Sequence, residues 1–441
     1  MTRLTRFPIA FAMVATSILL GCNRDSGSTT TPPTVDSQET IEPDPKQPDD
    51  PQMVSALEEA GFVLTRDSEG TVTEVSAAIS GEPKPDVLAN LAGVPSITKL
   101  LLTGQAMTDE GTEVFASLKQ LRRIELSDSA VGNPTIAIIS ELPNVEALLL
   151  RRTNVTNEGL APLTSTTKLR AIDLRNTNIS DDGLDYLAKI NSLVDIQLEK
   201  ANISDAGVKK VAGMSLKQFN VNYCTTISDD SLAAIANMKT LEGIQFDFTK
   251  ISDEGMKNVA NFDRLKRLRI RGCDVTGEGM KHVSGLSKLT RLELRESSFD
   301  DAGVDAIVGL PVTYLDISEC RLVSAEGMKA IGQLTGLTYL NLWETKANDE
   351  SLAAMGDLTS LVELNLKAAN ITDESLETLL KLQNLERLNV AGTQLGDDSF
   401  RALGMLPKLK YLNVANTSIG FDVIDELAEQ NPDLEVVEFE Q

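Results

Sequence analysis

Apolar and polar residues alternate along this chain in two rhythms. In RLRIR (267–271) and VELNL (362–366) every second or intervening position is apolar, which predicts strands with one buried and one solvent-facing side. In DEGMKNVANF (253–262), Met256, Val259 and Phe262 recur at every third position, which predicts a helix with one buried face. The two rhythms succeed each other many times. An L-x-x-L-x-L frame starts at Ile97, Leu121, Val145, Leu169, Leu193, Leu216, Leu241, Leu265, Leu289, Val312, Leu337, Leu361, Leu385, Leu409 and Leu434, a mean spacing of about 24 residues. Self-similarity at that period predicts an α/β solenoid, each turn supplying one strand and one helix. A degenerate turn at Val72, Val75 and Ala77 begins the stack.

Between the strand and helix rhythms lies a recurrent ISDDG (179–183), ISDAG (203–207), ISDEG (251–255) or ITDES (371–375). The Ser or Thr is placed to cap the helix, and the acids after it suit the positive helix end. These acidic clusters superficially resemble calcium loops. Their repetition at every helix start, without the spaced ligands of an EF-hand, assigns them to capping and predicts no metal site. The single histidine, His282, is expected on the helical surface without a catalytic role.

Eight residues after many frame starts stands a small residue: Thr153, Thr177, Cys224, Thr249, Cys273, Ser297, Cys320, Thr345, Thr393 and Thr417. Stacked strands lie about 4.8 Å apart, so successive cysteines of this ladder are about 10 Å apart. That exceeds the roughly 7 Å reach of a disulfide, which predicts three free, buried thiols.

This small-residue ladder followed by I-[ST]-D-x-G-[LMV], over residues 97–441, resembles the cysteine-containing, ribonuclease-inhibitor-like branch of leucine-rich repeats. The resemblance implies a horseshoe-like solenoid with a parallel sheet on its concave face and helices on its convex face. The best-known relatives with this unit are substrate-receptor arrays of F-box proteins, but no F-box segment is present here. The chain looks more like the bacterial lipoproteins that carry such arrays.

That likeness rests also on the N-terminus. Arg3 and Arg6 precede an apolar run from Phe7 to Leu20, and the segment ends Leu19-Leu20-Gly21-Cys22, which resembles a lipobox. Residues 1–21 are then a lipoprotein signal peptide and Cys22 the lipidation site; the alternative is an ordinary secretory signal with an incidental cysteine. Residues 22–52, rich in Pro, Ser, Thr and acid, read as a disordered tether. Residues 53–96 read as an N-terminal cap with the degenerate first repeat, and 97–441 as the array. The expected location is the cell envelope, with the lipid as the sole membrane attachment. Asn23, where an aspartate marks inner-membrane retention in some lipoprotein pathways, leans towards the outer membrane.

Charge narrows the partners. A formal net charge of -24 and a pI near 4.5 argue against a nucleic-acid binder. Against that background the concave register collects Arg267, Arg269 and Arg271 beside Arg291 and Arg295, with Tyr314, Tyr339 and Trp343 further along. Arginine with Tyr and Trp is the composition of an interface hot spot, and these eight residues are the candidate ligand-binding set. Asp247 and Glu293 should lie beside Arg271 and Arg269, so whether the arginines are free or paired stays open. Three functions follow: a noncatalytic receptor or scaffold for a protein partner; a binder of anionic envelope or extracellular polysaccharide; and a carboxylate hydrolase using Asp316 and Glu293. The first is the expected one, with no cofactor and no catalytic residue, because an open sheet offers little of the desolvation a general acid needs.

Overall fold

A computed structural model describes residues 47–439. The expected signal peptide, Cys22 and the tether up to residue 46 lie outside the described residues. Helix Pro51–Glu59 starts two residues before the expected boundary at Met53. The segment leading into it is already tied down: the Asp50 amide donates to the Gly93 carbonyl at 2.8 Å, and Asp49 accepts the Val72 amide at 2.8 Å. Leu57 and Phe62 anchor this cap in the core.

The cap ends in an antiparallel hairpin of strands Val63–Arg66 and Val72–Ala78. Every later pairing is parallel and between consecutive strands, from Val72–Ala78 beside Lys99–Thr103 to Tyr411–Asn413 beside Glu435–Val437. The result, among the described residues, is an open sheet of 17 strands, with Val75 aligned on Leu100 as the degenerate first turn requires. Most strands are three residues long. Their middle residues, such as Leu268, Leu292 and Leu315, are fully buried, and the flanking residues face the opposite, open side. Burying one such leucine contributes roughly 1.5–3 kcal/mol, repeated at every turn of the stack. Not every turn closes with an α-helix. Thr112–Ser117, Asn157–Leu160 and Pro162–Ser165 are 3-10 segments, and Pro162 cannot donate the amide bond that would continue an α-helix.

After each strand from Lys99–Thr103 to Tyr411–Asn413 the chain reverses through a residue with positive φ, among them Tyr223 (59°), Phe248 (53°) and Glu296 (58°). Gly272 takes this place at φ 61°, and a Cβ there would come within 2.5 Å of the Phe248 ring, so the ring dictates the glycine in RGC.

The recurrent aspartate does more than favour the helix end. The Asp205 carboxylate accepts the Ser228 amide at 2.9 Å and its hydroxyl at 2.7 Å, from the next turn. Asp181 holds Ser204, Asp229 holds Ser252, Asp253 holds Thr276 and Asp301 holds Ser324 in the same way. The motif therefore staples one turn to the next, while the Ser or Thr caps its own helix through longer bonds, 3.2 Å from Ala206 to Ser204. Asn133 and Asn157 take the aspartate's place in two earlier turns and hold Thr156 and Ser180, whereas two later turns carry Gly277 and Ala325 there and supply no side-chain acceptor. In each, the following cap serves itself: Asp300 accepts the amide of Gly303 at 3.1 Å, and Asn348 forms a capping box with Ser351.

The staple also explains why the second residue after the aspartate is Gly or Ser. A Cβ on Gly207 or Gly255 would lie 2.2 or 2.3 Å from the aspartate of the preceding turn. Where serine stands there, its hydroxyl joins the staple, as Ser231 does to Asp205 and Ser399 to Asp373.

Cys224, Cys273 and Cys320 are free and buried, as the ladder spacing predicted. Each thiol points at a backbone carbonyl, for example Cys273 at that of Phe246 at 3.2 Å. Burial pushes the Cys224 and Cys320 thiols up to about 11. His282 lies half-buried in the short helical segment Lys281–Val283.

Candidate binding surface

Two columns of side chains line the open face, set by strand register. The first runs Gly243, Arg267, Arg291, Tyr314, Tyr339, Glu363, Arg387, Tyr411. The second runs Gln245, Arg269, Glu293, Asp316, Asn341, Asn365, Asn389, Asn413. Arg271, Arg295 and Trp343 follow two residues later in their own turns. The eight candidate residues are thus brought together on four successive turns.

The second column has a structural duty. Its Asx residues accept the amide two positions on: Asp316 from Ser318 (3.1 Å), Asn341 from Trp343 (3.1 Å), Asn365 from Lys367 (3.0 Å), Asn389 from Ala391 (3.0 Å) and Asn413 from Ala415 (3.0 Å). Gln245 and Arg269 are the wrong length for this bond. In those turns the preceding one supplies the acceptor: Asn222 takes the Asp247 amide at 2.7 Å, and Asp247 takes the Arg271 amide at 2.9 Å.

Asp247 is in this way drawn beneath the arginines, with no exposed side-chain surface. Its Oδ2 receives Nε of Arg269 at 2.5 Å and Nε of Arg271 at 2.7 Å. Glu293 receives Arg291 Nε at 2.6 Å and Arg267 Nε at 2.9 Å, and lies 3.6 Å from Arg269. Arg295 pairs with Glu319 at 2.6 Å. The arginines are paired, then, and the pairing is layered. Asp247 and Glu293 are 0% and 7% exposed, whereas Arg267, Arg269, Arg271 and Arg291 keep 31%, 19%, 20% and 38% of their side chains in solvent. Solvent meets guanidinium groups, and the carboxylates lie underneath.

Electrostatics follow this layering. Burial works to raise the pKa of Glu293, but the Arg267 and Arg291 charges outweigh it and hold the carboxyl below the usual range. Burial, and after it the like charges of Arg291 and Arg269, lower the Arg267 guanidinium against the pull of Glu293. Burial raises Asp316, and the neighbouring Glu293 charge adds to it.

The aromatic rings are sandwiched. Tyr314 and Tyr339 stack with centroids 3.8 Å apart and planes 4° apart, and Arg291 lies 3.7 Å over the Tyr314 ring. Trp343 has Arg295 at 4.7 Å from the preceding turns and Lys367 at 5.2 Å from the following one. Sequence reasoning missed the downstream repetition of this arrangement, Arg387 at 3.9 Å over Tyr411. It also missed Gln245 and Glu319, both of which touch the arginines. Column-by-column alignment of the repeats carries the signal for all of them.

A family model described as Leucine Rich repeat matches residues 166–188, 265–284, 311–332 and 381–404. A leucine-rich-repeat protein of Leptospira interrogans has a similar structure, with TM-score 0.52 and 19% identity over 79% of this chain and 91% of that one. The yeast structure described as a Rad7 and Elc1 complex gives TM-score 0.54 and 16% identity over 70% of this chain and 84% of that one. No curated protein matches the sequence. The fold is a leucine-rich-repeat solenoid, and four stretches of the chain match the leucine-rich-repeat model itself.

Proposed function

We propose that this chain is an exported, lipid-anchored and noncatalytic member of the cysteine-containing leucine-rich-repeat type, binding a protein partner on the open face around Arg267, Arg269, Arg271, Arg291, Arg295, Tyr314, Tyr339 and Trp343. The observation that carries the binding site is the layer of exposed guanidinium groups over buried carboxylates, flanked by aromatic rings on a rigid sheet. The similar yeast structure is described as a complex of Rad7 and Elc1. The anchor rests on the Leu19-Leu20-Gly21-Cys22 sequence, and Asn23 favours the outer membrane. A polysaccharide ligand gains little support, because sugars stack on open ring faces and those of Tyr314 and Trp343 are covered by cations or by another ring. A hydrolase gains less: Glu293 spends its carboxylate on arginines, and Asp316 spends one oxygen on Ser318.

The test is site-specific photo-crosslinking in intact cells, with the crosslinker at Tyr339 on the open face or at Lys281 on a helix. A protein adduct formed from Tyr339, absent from Lys281 and lost on Arg291→Glu with Arg295→Glu, is expected. The same adducts from both positions, unaffected by charge reversal, would move the site elsewhere.

A further inference from the structure

The arginine cluster leaves a defined set of donors unused, and these specify the partner's chemistry. Among the described residues, the side-chain hydrogen bonds of Arg271 and Arg291 to the protein use Nε alone. Both terminal nitrogens of each fork therefore remain for a ligand, held in place because Asp247 and Glu293 fix the base of the fork. Arg267 and Arg295 each also engage one terminal nitrogen, at 2.8 and 2.6 Å, and keep the other. A planar pair of N–H donors matches an oxyanion in bidentate fashion. The forks belong to two adjacent turns, about 4.8 Å apart, a step that acidic side chains of one extended segment can bridge.

The face beyond the arginines continues the donor pattern. Asn341, Asn365, Asn389 and Asn413 stand in register, and each has its Oδ1 committed to a backbone amide. That commitment fixes the orientation of the carboxamides and turns each Nδ2 away from its own turn. Asn341 and Asn413 are buried, and the half-buried Asn365 and Asn389 between them offer N–H donors to carbonyl oxygens, which an extended peptide supplies along its length.

We infer, resting on the protein-binding reading above, that the partner presents an extended acidic segment, its carboxylates seated on the outward forks of Arg271, Arg291 and Arg295 and its chain directed over the asparagine row. The complementarity is local. In a chain of net charge -24, an acidic segment is repelled by the surface at large and is drawn to this stretch, where several cations on adjacent turns overlie their counter-ions.

The test pans a short random-peptide display library against the purified full chain and against its Arg291→Gln, Arg295→Gln variant. These two arginines are chosen because Glu293 keeps Arg267 and Glu319 is partly exposed, so the variant retains its fold; a single cooperative thermal transition, shifted down by the lost Arg291 pairing but well above the panning temperature, checks this. Enrichment of Asp- and Glu-rich peptides by the wild type is expected. A synthetic peptide of the enriched sequence should bind at least about tenfold more weakly to the variant, and more weakly to both as salt rises. Enrichment of apolar or basic peptides indifferent to the variant would overturn the acidic segment while leaving protein binding in place. No enrichment at all would overturn the extended-segment inference, and the crosslinking from Tyr339 would then decide the protein-binding reading by itself.

Discussion

Asp247 grips Arg271 at two points, taking its backbone amide on Oδ1 at 2.9 Å and its Nε on Oδ2 at 2.7 Å. One fully buried carboxylate thus closes the turn of the following repeat and holds its guanidinium. The fold and the candidate site share a residue.

Replacing Asp247 should therefore damage both. Asp247→Ala leaves the Arg271 amide without an acceptor and Arg269 and Arg271 without their buried counter-charge, a loss of about 3–5 kcal/mol. Asp247→Asn keeps an acceptor for the amide and should cost clearly less. Denaturant unfolding of the three proteins checks the order; equal losses would show that the charge, not the amide bond, is what matters.

Asp316 predicts the opposite sign. Burial raises its pKa, so the ionised form is penalised in the folded state above the folded pKa and the penalty disappears below the unfolded one. The next turns carry Asn341, Asn365, Asn389 and Asn413 at the same register, and each makes the turn bond that Asp316 makes to Ser318. Asp316→Asn should raise the melting temperature at pH 7, with the gain fading as pH falls through the carboxylate range. A lower melting temperature at pH 7 would mean that the Asp316 charge stabilises the arginine cluster.

Glu293 runs the other way again. Its folded pKa is lowered by Arg267 and Arg291 against the burial that would raise it, so its contribution is present above the unfolded value and lost as pH falls through the folded one. The stability lost on Arg291→Gln should accordingly be largest near neutral pH and shrink in acid, by melting curves at a series of pH values.

How much of this was open to sequence reasoning depended on range. The strand frame, the helix stripes and the buried thiols follow from local periodicity, and the structure has them at Leu268, Met256 and Cys273. The staple was not legible, because Asp205 looks like an acid near a helix start until the turn-to-turn stacking puts Ser228 within 2.7 Å of it. Arginine pairing was half legible. Register put Glu293 beside Arg269, but the depth of Asp247 follows from Gln245 and Arg269 being unable to close their own turns, a fact about side-chain length in three dimensions.

The staple makes a prediction in which a mutation changes sign. Gly255→Ala in a helix should gain about 1 kcal/mol from propensity. A Cβ there meets Asp229 Oδ1 at 2.3 Å, and displacing that carboxylate from Ser252 costs about 1–3 kcal/mol. The substitution should be destabilising in the wild type and stabilising in an Asp229→Ala background. Gly255→Ser should be milder than Gly255→Ala, since Ser231 shows the hydroxyl joining the staple. A double-mutant cycle without that coupling would show that the glycine answers to something other than the aspartate.

The cysteines divide into two chemical classes, and the division can be tested in one experiment. Cys224, Cys273 and Cys320 are buried, and burial raises all three thiols, Cys224 and Cys320 to about 11, so at pH 8 they are protonated and shielded. With Cys22→Ser, no thiol should react with an alkylating reagent until the chain is unfolded, when three should. In cells, labelled fatty acid should enter the wild-type chain and be abolished by Cys22→Ser, because the three ladder thiols cannot reach an acyl donor. Incorporation that survives Cys22→Ser would refute the anchor assigned to the Leu19-Leu20-Gly21-Cys22 sequence.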